Sequence, residues 1–322
     1  MKLAFLFPGQ GAQSVGMGRA LAEAFPEARA VFDAADRALG FSLSDICWKG
    51  PEERLRETRH AQPALLTHSV AALRLLEAQG IVPSFTAGHS LGEYSACVAA
   101  GALGFEDTVR LVYRRGELMH RAGLERPGTM AAILGLSTEE VAAACAEAAE
   151  LGVVQPANLN APGQVVISGE VPAVERAGER AKARGAKRVI RLEVSGAFHS
   201  PLMASAAQGL GETLRATPFR DARCPVIANV SGAPVRRADE MRDALERQLL
   251  GAVRWEDSMR RLLADGATGF VEVGTGRVLR GLLRSIDKDA PSWNVEDPAS
   301  LQATLAALSA ARAGSVATKG NA

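Results

Sequence analysis

The sequence predicts an α/β fold, a large domain of sheet and helices interrupted by a small ferredoxin-like unit. Strand-like and helix-like segments alternate along the chain, as they do when helices flank a sheet. Residues 128–194 read strand, helix, strand, strand, helix, strand, which is the order of the ferredoxin-like unit. Between an apolar run and a helical pattern stands Gly88-His89-Ser90-Leu91-Gly92, a serine framed by glycines on a strand-to-helix turn.

The elements follow in order. The apolar run Leu3–Phe7 is a buried strand, and Pro8-Gly9-Gln10-Gly11-Ala12-Gln13 is the loop that leaves it. Helical periodicity covers 18–39, 62–79, 93–100 and 105–122, with glycines at the ends. A short strand is expected over 81–87, after the helix stop at Gly80. Within the inserted unit the strands are expected at 129–134, 153–159, 164–168 and 188–194, and the helices at 138–150 and 172–184. The large domain resumes with a helix over 202–216 and strands over 226–229 and 270–273. The expected division is therefore 1–127 with 195–312 for the large domain, 128–194 for the small one, and an unstructured tail over 313–322.

Composition narrows the function. With 322 residues, 47% of them hydrophobic, the chain can bury a large core. A net charge of +1 argues against nucleic acid or an anionic membrane as the main partner. Cys47, Cys97, Cys145 and Cys224 stand too far apart for a disulfide framework or a zinc site. Leu3–Phe7 is too short for a signal peptide or a membrane span, and a cytoplasmic protein is expected.

Ser90 is the candidate nucleophile. A serine on a sharp turn at a helix start sits beside free backbone N–H groups, which favour a developing oxyanion. The amide of Gln10, in the loop after the first strand, can converge on that oxyanion with the amide of Leu91. Read as a dinucleotide fingerprint the same loop fails, because Ser14 stands where the third glycine belongs. Of the five histidines, His60, His68 and His120 fall in or beside helices and His89 adjoins the serine. His199, in a loop between a strand and a helix, is the candidate base. No acidic residue follows it closely, so a carbonyl is a candidate partner for its second nitrogen. In the pair Arg114-Arg115 on an otherwise apolar helix, one guanidinium can turn inward and capture a carboxylate with two bonds, while Arg114 is expected at the surface. More than a hundred residues follow the last histidine, which departs from the order of a plain α/β-hydrolase.

Taken together, Phe7-Pro8-Gly9-Gln10-Gly11-Ala12-Gln13, Gly88-His89-Ser90-Leu91-Gly92-Glu93-Tyr94, Arg115-Gly116 with Met119, Asn160 with Pro162-Gly163-Gln164-Val165-Val166-Ile167-Ser168-Gly169, and Gly196-Ala197-Phe198-His199-Ser200 resemble, in that order, the malonyl-CoA:acyl carrier protein transacylases. The likeness extends from Leu3 to Leu301. Two stretches depart from the family pattern, Leu250-Gly251-Ala252-Val253 and the position of Thr275.

The resemblance implies a hydrolase-like α/β large domain with the ferredoxin-like subdomain. It implies Ser90 as the acylated nucleophile, His199 as its base, Gln248 as the residue whose backbone carbonyl orients the histidine, and Gln10 and Leu91 as the oxyanion donors. Arg115, Phe198 and Asn160 are assigned to the substrate, with Arg115 on the malonyl carboxylate and Phe198 walling the pocket against a branched acyl group. The implied reaction moves malonyl from coenzyme A to the phosphopantetheine thiol of acyl carrier protein for fatty acid biosynthesis, with no metal or other cofactor. Acyl carrier protein and coenzyme A esters are the expected partners, and a monomer is expected. A polyketide acyltransferase acting in trans, the transacylase component of a malonate decarboxylase, and a serine esterase or thioesterase share the same serine and histidine. Lys182, Arg184, Lys187, Arg188 and Arg191 form one basic cluster that could dock the carrier, and Arg277, Arg280 and Arg284 form another.

Overall fold

The computed structural model describes residues 1–319. Its strands are β1 (Leu3–Phe7), β2 (Phe85–Gly88), β3 (Thr129–Leu134), β4 (Val154–Ala161), β5 (Gln164–Gly169), β6 (Arg188–Arg191), β7 (Val226–Ile227), β8 (Pro234–Val235), β9 (Gly269–Val273) and β10 (Ser292–Val295). They form two sheets.

The larger sheet has the order β10-β9-β1-β2-β7-β8, parallel except for the β7–β8 pair. Its middle strand β1 is buried throughout, which is why Leu3–Phe7 is apolar without alternation. Because β1 and β2 are parallel neighbours, the loops carrying Gln10 and Ser90 leave the carboxyl ends of the two strands side by side. Ligands of open parallel sheets bind at those carboxyl ends.

The smaller sheet, β4-β5-β3-β6, is antiparallel, and the helices Thr138–Ala148 and Val171–Ala183 belong to the same unit. Ile133, Val141, Val165, Ile167, Val174 and Ala177 make its own apolar core. Ser137 and Glu140 close a capping box at the start of the first helix. Val253, whose side chain packs in the core with Leu6, Phe85 and Ile227 of the large sheet, ties that sheet to β4: its N–H donates to Ala157 O at 2.8 Å and its carbonyl accepts from Leu159 N at 2.9 Å.

Several boundaries differ from those read in the sequence. The expected helix 18–39 is two helices, Arg19–Ala24 and Pro26–Leu39, since Phe25 precedes a proline and is held extended at φ −135°. The strand expected at 81–87 begins only at Phe85, because Pro83 has no N–H to give a ladder. Strand β6 stops at Arg191, although Leu192 N still donates to Met130 O at 2.9 Å, and Leu192 and Val194 line a cavity. The last helix, Pro298–Lys319, carries the backbone into the stretch 313–322 expected as a tail, as its alanine-rich sequence favours. The rest of that stretch lies outside the described residues.

Candidate active site

The glycines that frame Ser90 are dictated by packing. A Cβ on Gly88 would stand 1.9 Å from the backbone of Gly92, and one on Gly92 would stand 2.0 Å from Phe7 O. Ser90 itself has φ 51°, and among the described residues the only other non-glycine with positive φ is His199, at 57°. Each such residue costs about 1–3 kcal/mol and persists only where its surroundings impose it. For Ser90 the restraint is Asn229, just past β7, whose Oδ1 accepts the Ser90 N–H at 2.7 Å and whose Nδ2 donates to Gly88 O at 2.7 Å.

The two strained residues meet. Ser90 Oγ lies 2.7 Å from His199 Nε2. His199 Nδ1 lies 2.9 Å from Gln248 O and 3.2 Å from Gly251 O, two carbonyls that can only accept. The ring proton is therefore on Nδ1, and Nε2 is left to accept from the serine hydroxyl. Burial first, and then the charge of Arg115, push the imidazole down to about 3 against the help of those carbonyls, so the resting ring is neutral. Gly251 belongs to the stretch that departs from the family pattern, yet it supplies a second carbonyl to the same nitrogen. Gln155 on β4 donates to His199 O at 2.9 Å and so ties the small sheet to the same loop.

Arg115 is almost wholly buried, whereas Arg114 pairs with Glu117 at the surface. Its Nη1 donates to Gln62 Oε1 at 2.9 Å, and its Nη2 donates to Gln248 Oε1 at 3.0 Å and to Ser90 Oγ at 3.3 Å. The guanidinium carbon also sits 5.4 Å from the Tyr94 ring centroid. Burial lowers the arginine, while Tyr94 and Glu93 oppose that shift.

The backbone N–H groups of Gln10 and Leu91 find no acceptor among the described residues. Both residues line a cavity of about 490 Å³ with Ser90, Arg115, Phe198 and His199. Asn160 lines it too, and its Oδ1 accepts from His89 Nε2 at 2.8 Å. The cavity is walled by both domains, with Met130 and Val166 from the small sheet and Leu279 and Leu282 from the helix Val278–Ile286.

Sequence reading missed the supporting polar groups. Gln62, Asn229, Glu93 and the side chain of Gln248 are all buried around the serine and the arginine. Glu93 is visible only as an acidic residue in the small-residue helix Gly92–Ala99, and Gln62 as a polar residue in a helix otherwise buried along its length. The basic clusters are partly spoken for. Arg184 pairs with Glu147, Arg191 with Glu175 and Arg277 with Glu296, while Arg280 donates to Asn294.

Among the described residues no helix is long and apolar enough to cross a membrane. Neither is there a group of three or more His, Cys, Asp and Glu placed to hold a metal ion among them.

A sequence profile of the acyl transferase domain matches residues 4–295. A malonyl CoA-acyl carrier protein transacylase of Bacillus subtilis is 48% identical over 308 residues, 95% of this chain and 97% of the relative. Among solved structures, an acyl carrier protein S-malonyltransferase from Vibrio cholerae has a TM-score of 0.91 at 44% identity, covering 94% of this chain and 100% of its own. A malonyl-transacylase in complex with its type II PKS acyl-carrier protein has the same TM-score and identity, over 94% of this chain and 98% of the other.

Proposed function

Because this chain belongs to the acyl transferase family, among the malonyl CoA-acyl carrier protein transacylases, we propose that it moves malonyl from coenzyme A to the phosphopantetheine thiol of acyl carrier protein through an ester on Ser90. The observation that carries the mechanism is the 2.7 Å contact between Ser90 Oγ and a His199 Nε2 free to accept a proton.

Ser90 Oγ attacks the thioester carbonyl carbon while its proton passes to Nε2. Negative charge gathers on the carbonyl oxygen, toward which the amides of Gln10 and Leu91 are free to donate. Collapse of the adduct breaks the carbon–sulfur bond, and the imidazolium proton goes to the leaving coenzyme A sulfur. In the second half the pantetheine thiol gives its proton to Nε2 and attacks the ester. The hydroxyl of Ser90 is then restored by the same proton. His199 is suited to both halves because the carbonyls of Gln248 and Gly251 hold its ring in one tautomer.

Arg115 holds the free carboxylate of the malonyl group, its guanidinium lying beside the nucleophile in a buried site where a charged partner has most effect. Phe198 walls the acyl pocket, and Asn160 takes part through the His89 side of the cavity. No step calls for a metal or a redox group. The division into 1–127 with 195–312 and an inserted 128–194 is supported by the two sheets, and the substrate enters between them. The protein acts as a soluble monomer in the cytoplasm.

Fatty acid synthesis is the pathway we assign. A polyketide carrier is the second reading, favoured by the solved neighbour bound to a type II PKS acyl-carrier protein. Transfer rates from malonyl-loaded protein to each class of carrier separate the two. Mass spectrometry after mixing with malonyl-CoA tests the reaction itself: a single malonyl adduct on Ser90 is expected, and loading on another residue would refute the assignment.

A further inference from the structure

Around the reacting groups one carboxylate has no part in the chemistry above. Glu93 lies three residues after Ser90, in the first turn of the helix Gly92–Ala99, and is almost wholly buried. Its Oε2 accepts from Gln248 Nε2 at 2.6 Å and from Asn229 N at 3.2 Å. Gln248 Nε2 donates its other proton to Ser90 O at 2.9 Å, and Gln248 Oε1 accepts from Arg115 Nη2 at 3.0 Å. A glutamine amide can sit two ways round, and its neighbours decide which. Here two acceptors hold the nitrogen end and a guanidinium holds the oxygen end, so only one orientation satisfies every group. The backbone of the same glutamine takes the His199 ring proton.

We propose that Glu93 is a positioning residue: it fixes the Gln248 amide with its oxygen toward Arg115, and so holds the guanidinium over Ser90. This deepens the malonyl-transfer reading and rests on it for its functional consequence. Asn229 joins Glu93 to the turn as well, since it accepts the Ser90 N–H and gives its own N–H to the carboxylate. A glutamate left buried without these donors is costly, and two donors and the nearby arginine offset part of that cost. Burial raises its carboxyl to about 7, with the bonds from Gln248 and Asn229 and the charge of Arg115 pulling the other way.

The test combines two readouts on the full chain. In Glu93→Gln, loading of Ser90 from malonyl-CoA is expected to fall about tenfold more than loading from acetyl-CoA, which has no carboxylate for the arginine, the scale of one charge-assisted hydrogen bond. In a Gln248→Met background, which removes the amide but keeps the backbone carbonyl, the same substitution should change that ratio by less than about twofold. A merely structural role would lower both acyl groups together, and an undiminished effect without the Gln248 amide would equally overturn the proposal. Nitrogen-15 NMR of the Arg115 Nη groups gives the reading that does not depend on acyl chemistry. Rotation at Nη2, the end bonded to Gln248, should loosen in Glu93→Gln while Nη1, held by Gln62, stays restricted; an unchanged Nη2 overturns the proposal whatever the kinetics. Arg115→Ala is the control for the carboxylate reading, which fails alone if that variant loses malonyl and acetyl loading equally. Should Glu93→Gln not fold, Gln248→Met by itself is expected to show the same selective malonyl loss and loosened Nη2, and unchanged values there overturn the link.

Discussion

The small domain and the carboxyl end of the large sheet, which carries Ser90, solve opposite problems. In the small domain apolar side chains such as Ile133, Val165 and Ile167 fill the core, and its ion pairs, Arg184 with Glu147 and Arg191 with Glu175, lie at the surface. Around Ser90 buried polar and charged groups gather, among them Glu93, Arg115, Asn229 and Gln248, and two residues hold left-handed backbone. The first region gains stability from burial in the ordinary way. The second accepts strain and desolvation in exchange for fixed geometry, and depends on its neighbours to stay folded.

That contrast is easiest to break with a pair of substitutions. Ser90→Ala is expected to abolish malonyl loading while leaving stability close to that of the parent protein. His199→Ala should slow loading at least ~10²-fold, the usual contribution of a positioned base. Ile167→Ala should do the reverse, costing about 2–5 kcal/mol of stability with Ser90 reactivity per folded molecule unchanged. Denaturant melts beside adduct mass spectrometry read both quantities. If Ile167→Ala lowered reactivity as steeply as stability, the two regions would not be separate.

Next in size is the proposed carboxylate clamp at Arg115. Arg115→Ala should lower malonyl loading about 10–100-fold more than acetyl loading, the range for one or two bonds to a charged group. Arg115→Lys should recover little of it, because an ammonium cannot span Gln62, Gln248 and the substrate in one plane. Equal losses with both acyl groups would make the arginine part of the framework only.

A smaller effect is expected at Phe198, which is buried and lines the cavity immediately before the base. Excluding one methyl group by shape is worth about 1–3 kcal/mol, so the preference for malonyl over methylmalonyl is limited to roughly 10–200-fold. Phe198→Ser should narrow that preference. Competition between the two coenzyme A esters, read as the mass of the acyl-enzyme, gives the ratio directly, and an unchanged ratio in an active variant would remove Phe198 from the specificity account.

The same two regions differ in how far the sequence disclosed them. The strands and helices of the small domain follow from periodicity, because each element buries one face against a single local core. Ser90, His199 and Arg115 could be singled out, since a glycine-framed serine, a loop histidine and an inward arginine each carry a local signal. Their supports carry little: Glu93 and Gln62 show only as polar residues in mostly apolar helices. Gln248 lies 158 positions from the serine carbonyl it bonds, and Gln62 lies 53 from Arg115. Such pairs are made by the packing of distant elements. The helix Ala238–Gln248 that delivers Gln248 was not evident either, for its sequence is mostly charged and buries only Met241, Ala244, Leu245 and Gln248.

The last expectation concerns pH, and it separates the two regions by a buried acid outside the chemistry. Glu272 on β9 caps the helix Val278–Ile286, accepting from Leu279 N at 3.0 Å and Arg280 N at 2.9 Å, and that helix walls the cavity through Leu279 and Leu282. Burial raises its carboxyl from 4.5 to about 7, opposed by the two backbone bonds and by Arg280. Between those values the folded chain holds a proton that the unfolded chain has released, so the stability from Glu272 is full below 4.5 and is lost as pH rises through 7. Its limit is ~3 kcal/mol, from about 1.4 kcal/mol per unit. Glu93 acts in the same sense, while His68, pushed down to about 4 by burial, makes stability rise with pH between 4 and 6.5. The measurement is therefore a difference between proteins. Glu272→Gln should lose stability at low pH, where the protonated acid makes its bonds without penalty, and the deficit should shrink toward pH 7.5. Parallel stability curves across that range would mean that Glu272 titrates normally, and that the cavity wall is as indifferent to pH as the apolar core of the small domain.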